Sequence, residues 1–157
     1  MSTSPYSARV SMQLAAERQK DEARRAQADA SRVMRRKSFQ LAAAWLENAV
    51  IAAVDRCVAE CGGAVLIDCR NNFTSEAQDA YKNPHVVFSI QETGGMAGTQ
   101  YEVFVAHSLV CVHRIRHHMR QPVTVPGFAG PQLVGAAPMD LGAAIVRLAL
   151  EEHQRGA

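Results

Sequence analysis

The sequence predicts an α+β fold: a long N-terminal helix and a C-terminal helix packed on a small, mainly antiparallel sheet of three to four strands. Three observations predict it. Residues 9–60 contain neither Pro nor Gly and are dominated by Ala, Gln, Glu, Arg and Leu, all good helix formers. Residues 85–92 and 101–106 alternate apolar and polar across a glycine-rich connection, the pattern of a hairpin with one buried face. Residues 138–156 open on Pro, close on Gly and repeat apolar side chains at helical spacing, the asymmetry expected of helix ends.

Taken in order, "MSTSPYSA" (1–8) is small and polar and reads as a disordered tail. Residues 9–37 read as a polar helical arm. Opposite charges stand at helical spacing (Asp21 with Arg25, Arg18 with Glu22), and the seam Ala23, Ala26, Ala30, Val33 is heptad-like but poor in bulk. The α+β domain is expected over 38–157. Its first helix turns apolar from residue 39, with Phe39, Ala43, Leu46, Val50, Val54, Cys57 and Cys61 on one stripe. Leu41, Trp45, Ala49 and Ala52 form a second stripe, so burial on more than one side is expected. Gly62-Gly63 should stop this helix. "AVLIDC" (64–69) reads as a buried strand, and 74–83 as a short helix with Ser75 and Gln78 in capping-box spacing. The loop "TGGMAGTQ" (93–100) joins the two hairpin strands. Residues 107–119 are rich in β-branched side chains and favour a strand over a helix. The segment 120–138, with four prolines and three glycines, reads as irregular. In the last helix Leu141, Ala144, Ile145 and Leu148 share a face.

The chain has 157 residues and a net charge of +2, a one-domain length with an ordinary globular composition. The charge is unevenly spread: residues 1–40 carry +5 and residues 41–157 carry −3. A basic segment of that size suits nucleic acid or an acidic protein surface equally. No apolar run is long enough for a membrane span, and the N-terminal residues lack the layout of a secretory signal. The expected location is therefore cytoplasmic, with Cys57, Cys61, Cys69 and Cys111 as reduced thiols.

"CVHRIRHH" (111–118) concentrates the candidate chemistry. His113 and His117 have a zinc-ligand spacing, and Cys57 and Cys61 offer a matching pair. Against a Cys2His2 site, both cysteines lie on an apolar stripe where packing alone explains them. No cofactor or metal is expected. Asp68, Glu92 and Glu102 could form a carboxylate cluster of a nuclease, but no lysine accompanies them in a motif. His107-Ser108 and Cys111/His113 do not form a nucleophile elbow, and "GGMAG" lacks the spacing of a phosphate-binding loop.

Three function classes remain. The first is a non-enzymatic assembly or adaptor protein that associates with itself or with a larger complex. A subunit of a multi-copy particle, such as a virion or a secretion machine, has that kind of architecture. Its partner-binding residues would be Ala23, Ala26, Ala30 and Val33 on the arm, with Val123, Val125, Phe128 and Leu133 in the apolar irregular segment. The second is a nucleic-acid-binding protein using Arg24, Arg25, Arg32, Arg35, Arg36 and Lys37, together with Arg114, Arg116 and Arg120. The third is a metalloprotein or enzyme around the Cys/His cluster or Asp68.

Overall fold

The computed structural model describes residues 4–92 and 98–156. Contacts divide the chain into two units, residues 1–37 and 38–157. The described residues of the first are helical from Pro5 on. Helix α1 spans Pro5–Leu46 and begins on a proline, whose fixed φ suits a first helical position. Every described residue from 4 to 38 is exposed. Ion pairs on this surface form at three-residue spacing, Arg24 to Asp21 (4.0 Å) and Arg32 to Asp29 (3.3 Å). At such exposure each contributes only about 0.2–0.5 kcal/mol.

The second unit is α+β, as the sequence predicts. Among the described residues its sheet has six strands rather than three or four. These are β1 (Val65–Asn71), β2 (His85–Glu92), β3 (Gln100–Ala106), β4 (Leu109–Arg116), β5 (Met119–Pro122) and β6 (Gln132–Leu133). The order is β1-β2-β3-β4-β5, every pairing is antiparallel, and β6 also pairs with β4. The two extra strands come from the segment expected to be irregular. β5 follows β4 through a two-residue turn, and β6 returns to the same edge of β4 beside it. The glycine-rich loop 93–97 lies outside the described residues.

One face of the sheet carries the core. Val86, Phe88 and Ile90 of β2, Tyr101, Val103 and Val105 of β3, and Val110 and Val112 of β4 are all buried there. The covering layer is the end of α1, a π-helical turn over Glu47–Ile51, helix α2 (Ala52–Cys61) and helix α4 (Met139–Gly156). The sequence contains no direct signal for the π turn, yet it explains the burial pattern. Ala42, Leu46, Val50 and Val54 are all buried, as are Trp45, Ala49 and Ala53. In a regular α-helix each four-residue step drifts by about 40°, which would carry such stripes off the sheet. The wider turn, closed by Ala52 N–H on Glu47 O, absorbs one residue and keeps them inward. Leu41, expected on the second stripe, is instead 60% exposed.

Helix α4 packs on this layer at backbone distance. Gly142 has no Cβ because Ala49 is there: a Cβ built at 142 would lie 2.2 Å from Ala49 O. The buried stripe of α4 therefore runs through Leu141, Gly142, Ile145, Val146 and Ala149. Ala144 and Leu148, expected on it, are only half-buried. Trp45 Nε1 donates to Ala137 O at 3.0 Å just before α4, which satisfies the one polar group of a buried indole.

The remaining local signals resolve as follows. Gly62 closes α2 at φ 57°, the left-handed cap expected there. Helix α3 (Ser75–Asp79) is capped by Thr74, whose hydroxyl accepts from Ala77 N–H at 3.1 Å. The cap thus sits one residue before the expected Ser75. Both ends of β4 are two-residue turns with positive φ at each central residue: His107 (51°) with Ser108 (63°), and His117 (50°) with His118 (65°). This is the backbone of a primed hairpin turn, which Asn-Gly fills most easily.

Two outcomes test this architecture. Gly142→Ala should destabilise the domain by about 3 kcal/mol or more in urea unfolding, because backbone rather than a side-chain tip must move. Gly135→Ala, with open space around its Cβ, should stay within about 0.5 kcal/mol. Replacing His117-His118 by Asn-Gly should raise stability by about 1 kcal/mol, the left-handed strain released, read as a higher melting temperature.

Candidate functional site

Charged groups gather in two places on the domain. The first is a cleft of about 840 Å3 between the β3–β4 end of the sheet and the last turns of α4. Strand alternation puts Tyr101 and Arg114 side by side on the helix-covered face, as a cross-strand pair. Glu152 of α4 comes down on both. It accepts from Arg114 Nε at 2.8 Å and also binds Arg114 Nη2 and the Tyr101 hydroxyl. Burial works against the Glu152 charge, but the bonds from Tyr101 and Arg114 outweigh it and hold the carboxyl below its ordinary range. Glu152 in turn raises Arg114. Burial, reinforced by Glu152, pushes the Tyr101 phenol up to about 12. Arg116, His117, His118 and His153 line the same cleft, and Arg116 Nε donates to Thr99 Oγ1 at 2.9 Å.

The second lies on the opposite face of the sheet. Glu102 is 5% exposed. Its carboxylate pairs with Arg120 at 2.9 Å and stands 4.0 Å from His85 Nδ1. His113, directly across from Glu102 in the ladder, meets the Phe104 ring edge-on at 4.9 Å. Its Nδ1 is buried with no hydrogen-bond partner among the described residues. A buried carboxylate costs solvation that a well-placed guanidinium offsets.

The residues singled out by the sequence fall as follows. His113 lies on the face opposite the core, whereas Cys57 packs against the helix-covered core and Cys61 ends α2; the sheet separates them. His117 sits in the β4–β5 turn. Among the described residues, no three His, Cys, Asp or Glu side chains are placed to hold a metal ion. Burial raises the Cys57 thiol, with Cys61 adding to it, and burial likewise raises Cys69 and Cys111. Asp68 is exposed and 3.7 Å from Arg70; the side chain of Glu92 is outside the described part. Of the basic patch, Arg114, Arg116 and Arg120 each engage an acceptor of their own chain. On α1, Arg24, Arg25, Arg32, Arg35, Arg36 and Lys37 are exposed, as are Ala23, Ala26, Ala30 and Val33. In the 120–138 segment Val125 is buried, Val123 and Phe128 pack half-buried against the core, and Leu133 is 57% exposed.

Sequence reasoning missed Tyr101, Glu152 and His85. Nothing local marks them, since Glu152 is 38 residues from Arg114 and 51 from Tyr101. Among the described residues no helix is long and apolar enough to cross a membrane. Compared with family models, curated proteins and solved structures, the chain matches none.

The Glu152 cluster has a testable energetic signature. Glu152→Gln should cost about 1–3 kcal/mol at pH 7, because Arg114 loses a charged acceptor in a half-buried place. The folded-state carboxyl is lowered, so its contribution is present above the unfolded value of about 4.3 and fades as pH falls toward the folded value. Urea midpoints of the two proteins should therefore converge in acid.

Proposed function

We propose that the protein is a non-enzymatic assembly or adaptor protein, and that the helical segment 5–37 is its docking element. One observation carries this reading: from residue 4 to residue 38 no described side chain is buried. A helix with this composition is marginal alone in water, since nucleation is costly and most helical stability comes from packing. Its exposed apolar residues include Val10, Leu14, Val33 and Met34. The small seam Ala23, Ala26, Ala30, Val33 permits close approach of another helix, in a second copy or a larger complex. A multi-copy particle made in the cytoplasm fits this reading.

The nucleic-acid alternative draws less support. Arg114, Arg116 and Arg120 already bind acceptors in their own domain. The basic residues of α1 are spread around the helix and interleaved with acids, and Arg24 and Arg32 pair with Asp21 and Asp29.

Deleting residues 1–37 should leave a cooperative melt of the body and lower its assembly state, read by light scattering after size exclusion. Placing Glu at both Ala26 and Ala30 should lower it likewise without truncation. A variant that folds and assembles like the full chain would sink the docking role. Nucleic-acid binding that weakens steeply with salt would then account for the charge of this segment.

A further inference from the structure

The open edge of the sheet carries an inference about a different surface. Among the described residues, β1 is the outer strand, bonded to β2 alone. Which of its backbone groups face outward follows from two bonds. Asn72 N–H reaches His85 O (3.4 Å), and Val105 N–H reaches Pro84 O (3.1 Å). By the two-residue alternation of antiparallel ladders, residues 66, 68 and 70 bond to β2. Val65, Ile67, Cys69 and Asn71 turn their N–H and C=O groups to the open side. This strand of seven residues has no proline and no lysine, and so lacks two of the usual guards of an edge.

The layer above this edge is also incomplete. On β2 the core-facing side chains are sealed, Val86 at 0%, Phe88 at 1% and Ile90 at 2% exposed. On β1 the equivalent Val65, Ile67 and Cys69 are only half-buried, and Val58 of α2 is 37% exposed nearby in sequence to that rim. What would finish the core there is more apolar surface alongside β1.

We propose that β1 pairs edge to edge, antiparallel, with β1 of a second copy of this chain, about a two-fold axis at Cys69. Charge selects the occupant and the register. Asp68 and Arg70 point to the same face and are 58% and 67% exposed in their side chains. With the axis at Cys69, each Asp68 stands opposite Arg70 of the second copy, twice over. With the axis at residue 68 or 70, like charges face each other, which is unfavourable in a directly opposed pair. An odd shift would turn core-facing side chains outward. The chosen register also lets the outward groups of Ile67, Cys69 and Asn71 bond to Asn71, Cys69 and Ile67 of the second copy. The two helical layers then lie on the same side of one continuous sheet.

This pairing does not depend on the role proposed for residues 5–37, and the full chain tests it separately. In sedimentation, Asp68→Arg and Arg70→Asp should each weaken self-association about tenfold, and the double exchange should restore it. Glu at both Ala26 and Ala30 should leave the β1 contact in place. Opposed Cα atoms at the axis are about 5.5 Å apart in a bonded pair, within disulfide reach. With copper–phenanthroline accepting the two electrons, peptide mapping should find a Cys69–Cys69 link between chains. Singles that associate like the parent would overturn the proposal. So would a double exchange as weak as the singles, or a chain that stays monomeric across concentration. The last result would leave the edge to a strand of a different protein.

Discussion

The contact between Gly142 and Ala49 is the constraint on which the domain is built. Two helices can cover one small sheet only if they come close to each other as well as to the strands. Here they come so close that a single methyl group at 142 would overlap a main-chain carbonyl. The neighbouring residues follow from that approach. Ala49 and Ala53 are small where bulk would separate the helices, and Ala149 is small where α4 meets the sheet. The π turn over Glu47–Ile51 contains Ala49 itself. It keeps the four-residue stripes of the first helix facing inward at the place where α4 leans on it. The Trp45–Ala137 bond then fixes the chain leading into α4.

With one face covered in this way, the sheet's polar groups divide by strand parity. Arg114 and Tyr101 fall on the covered face, at its rim, where Glu152 can reach them from the last turns of α4. Glu102 and His113 fall one residue away on the opposite face, where the partners are Arg120 and the Phe104 ring. Neighbouring positions on β3 and β4 thus serve two unrelated clusters. Each buried carboxylate has a guanidinium against it, as desolvation of an acid requires.

Much of this was legible in the sequence. Strict alternation in "HVVFSIQE" and "YEVFVA" placed Val86, Phe88 and Ile90 on the core face, because a period of two leaves no other choice. Gly62 and Pro138 marked helix ends through backbone geometry alone. The failures have equally definite causes. β5 and β6 are short strands among prolines and glycines, held by pairing with β4 rather than by their own preference. The turns at 107–108 and 117–118 use His and Ser where Asn and Gly would have announced them. The π turn has no composition of its own. Of the charged clusters, the arginines were visible as a basic run, but their acceptors were not. Glu152 meets Arg114 only through the packing of α4, and that packing is decided by a glycine whose importance depends on what lies opposite.

The packing of α4 on the first helix also bears on the order of assembly that loop closure favours. From β1 to β5 each strand pairs with its neighbour in sequence, so the sheet can zip by short loop closures. The clasp joins groups 92 residues apart, Trp45 and Ala137, and closing so large a loop is entropically slower. Until α4 arrives, the apolar side of β2 and β3 is roofed by one helix instead of two. A sheet roofed by one helix alone would leave that apolar side open to association with the wrong chain.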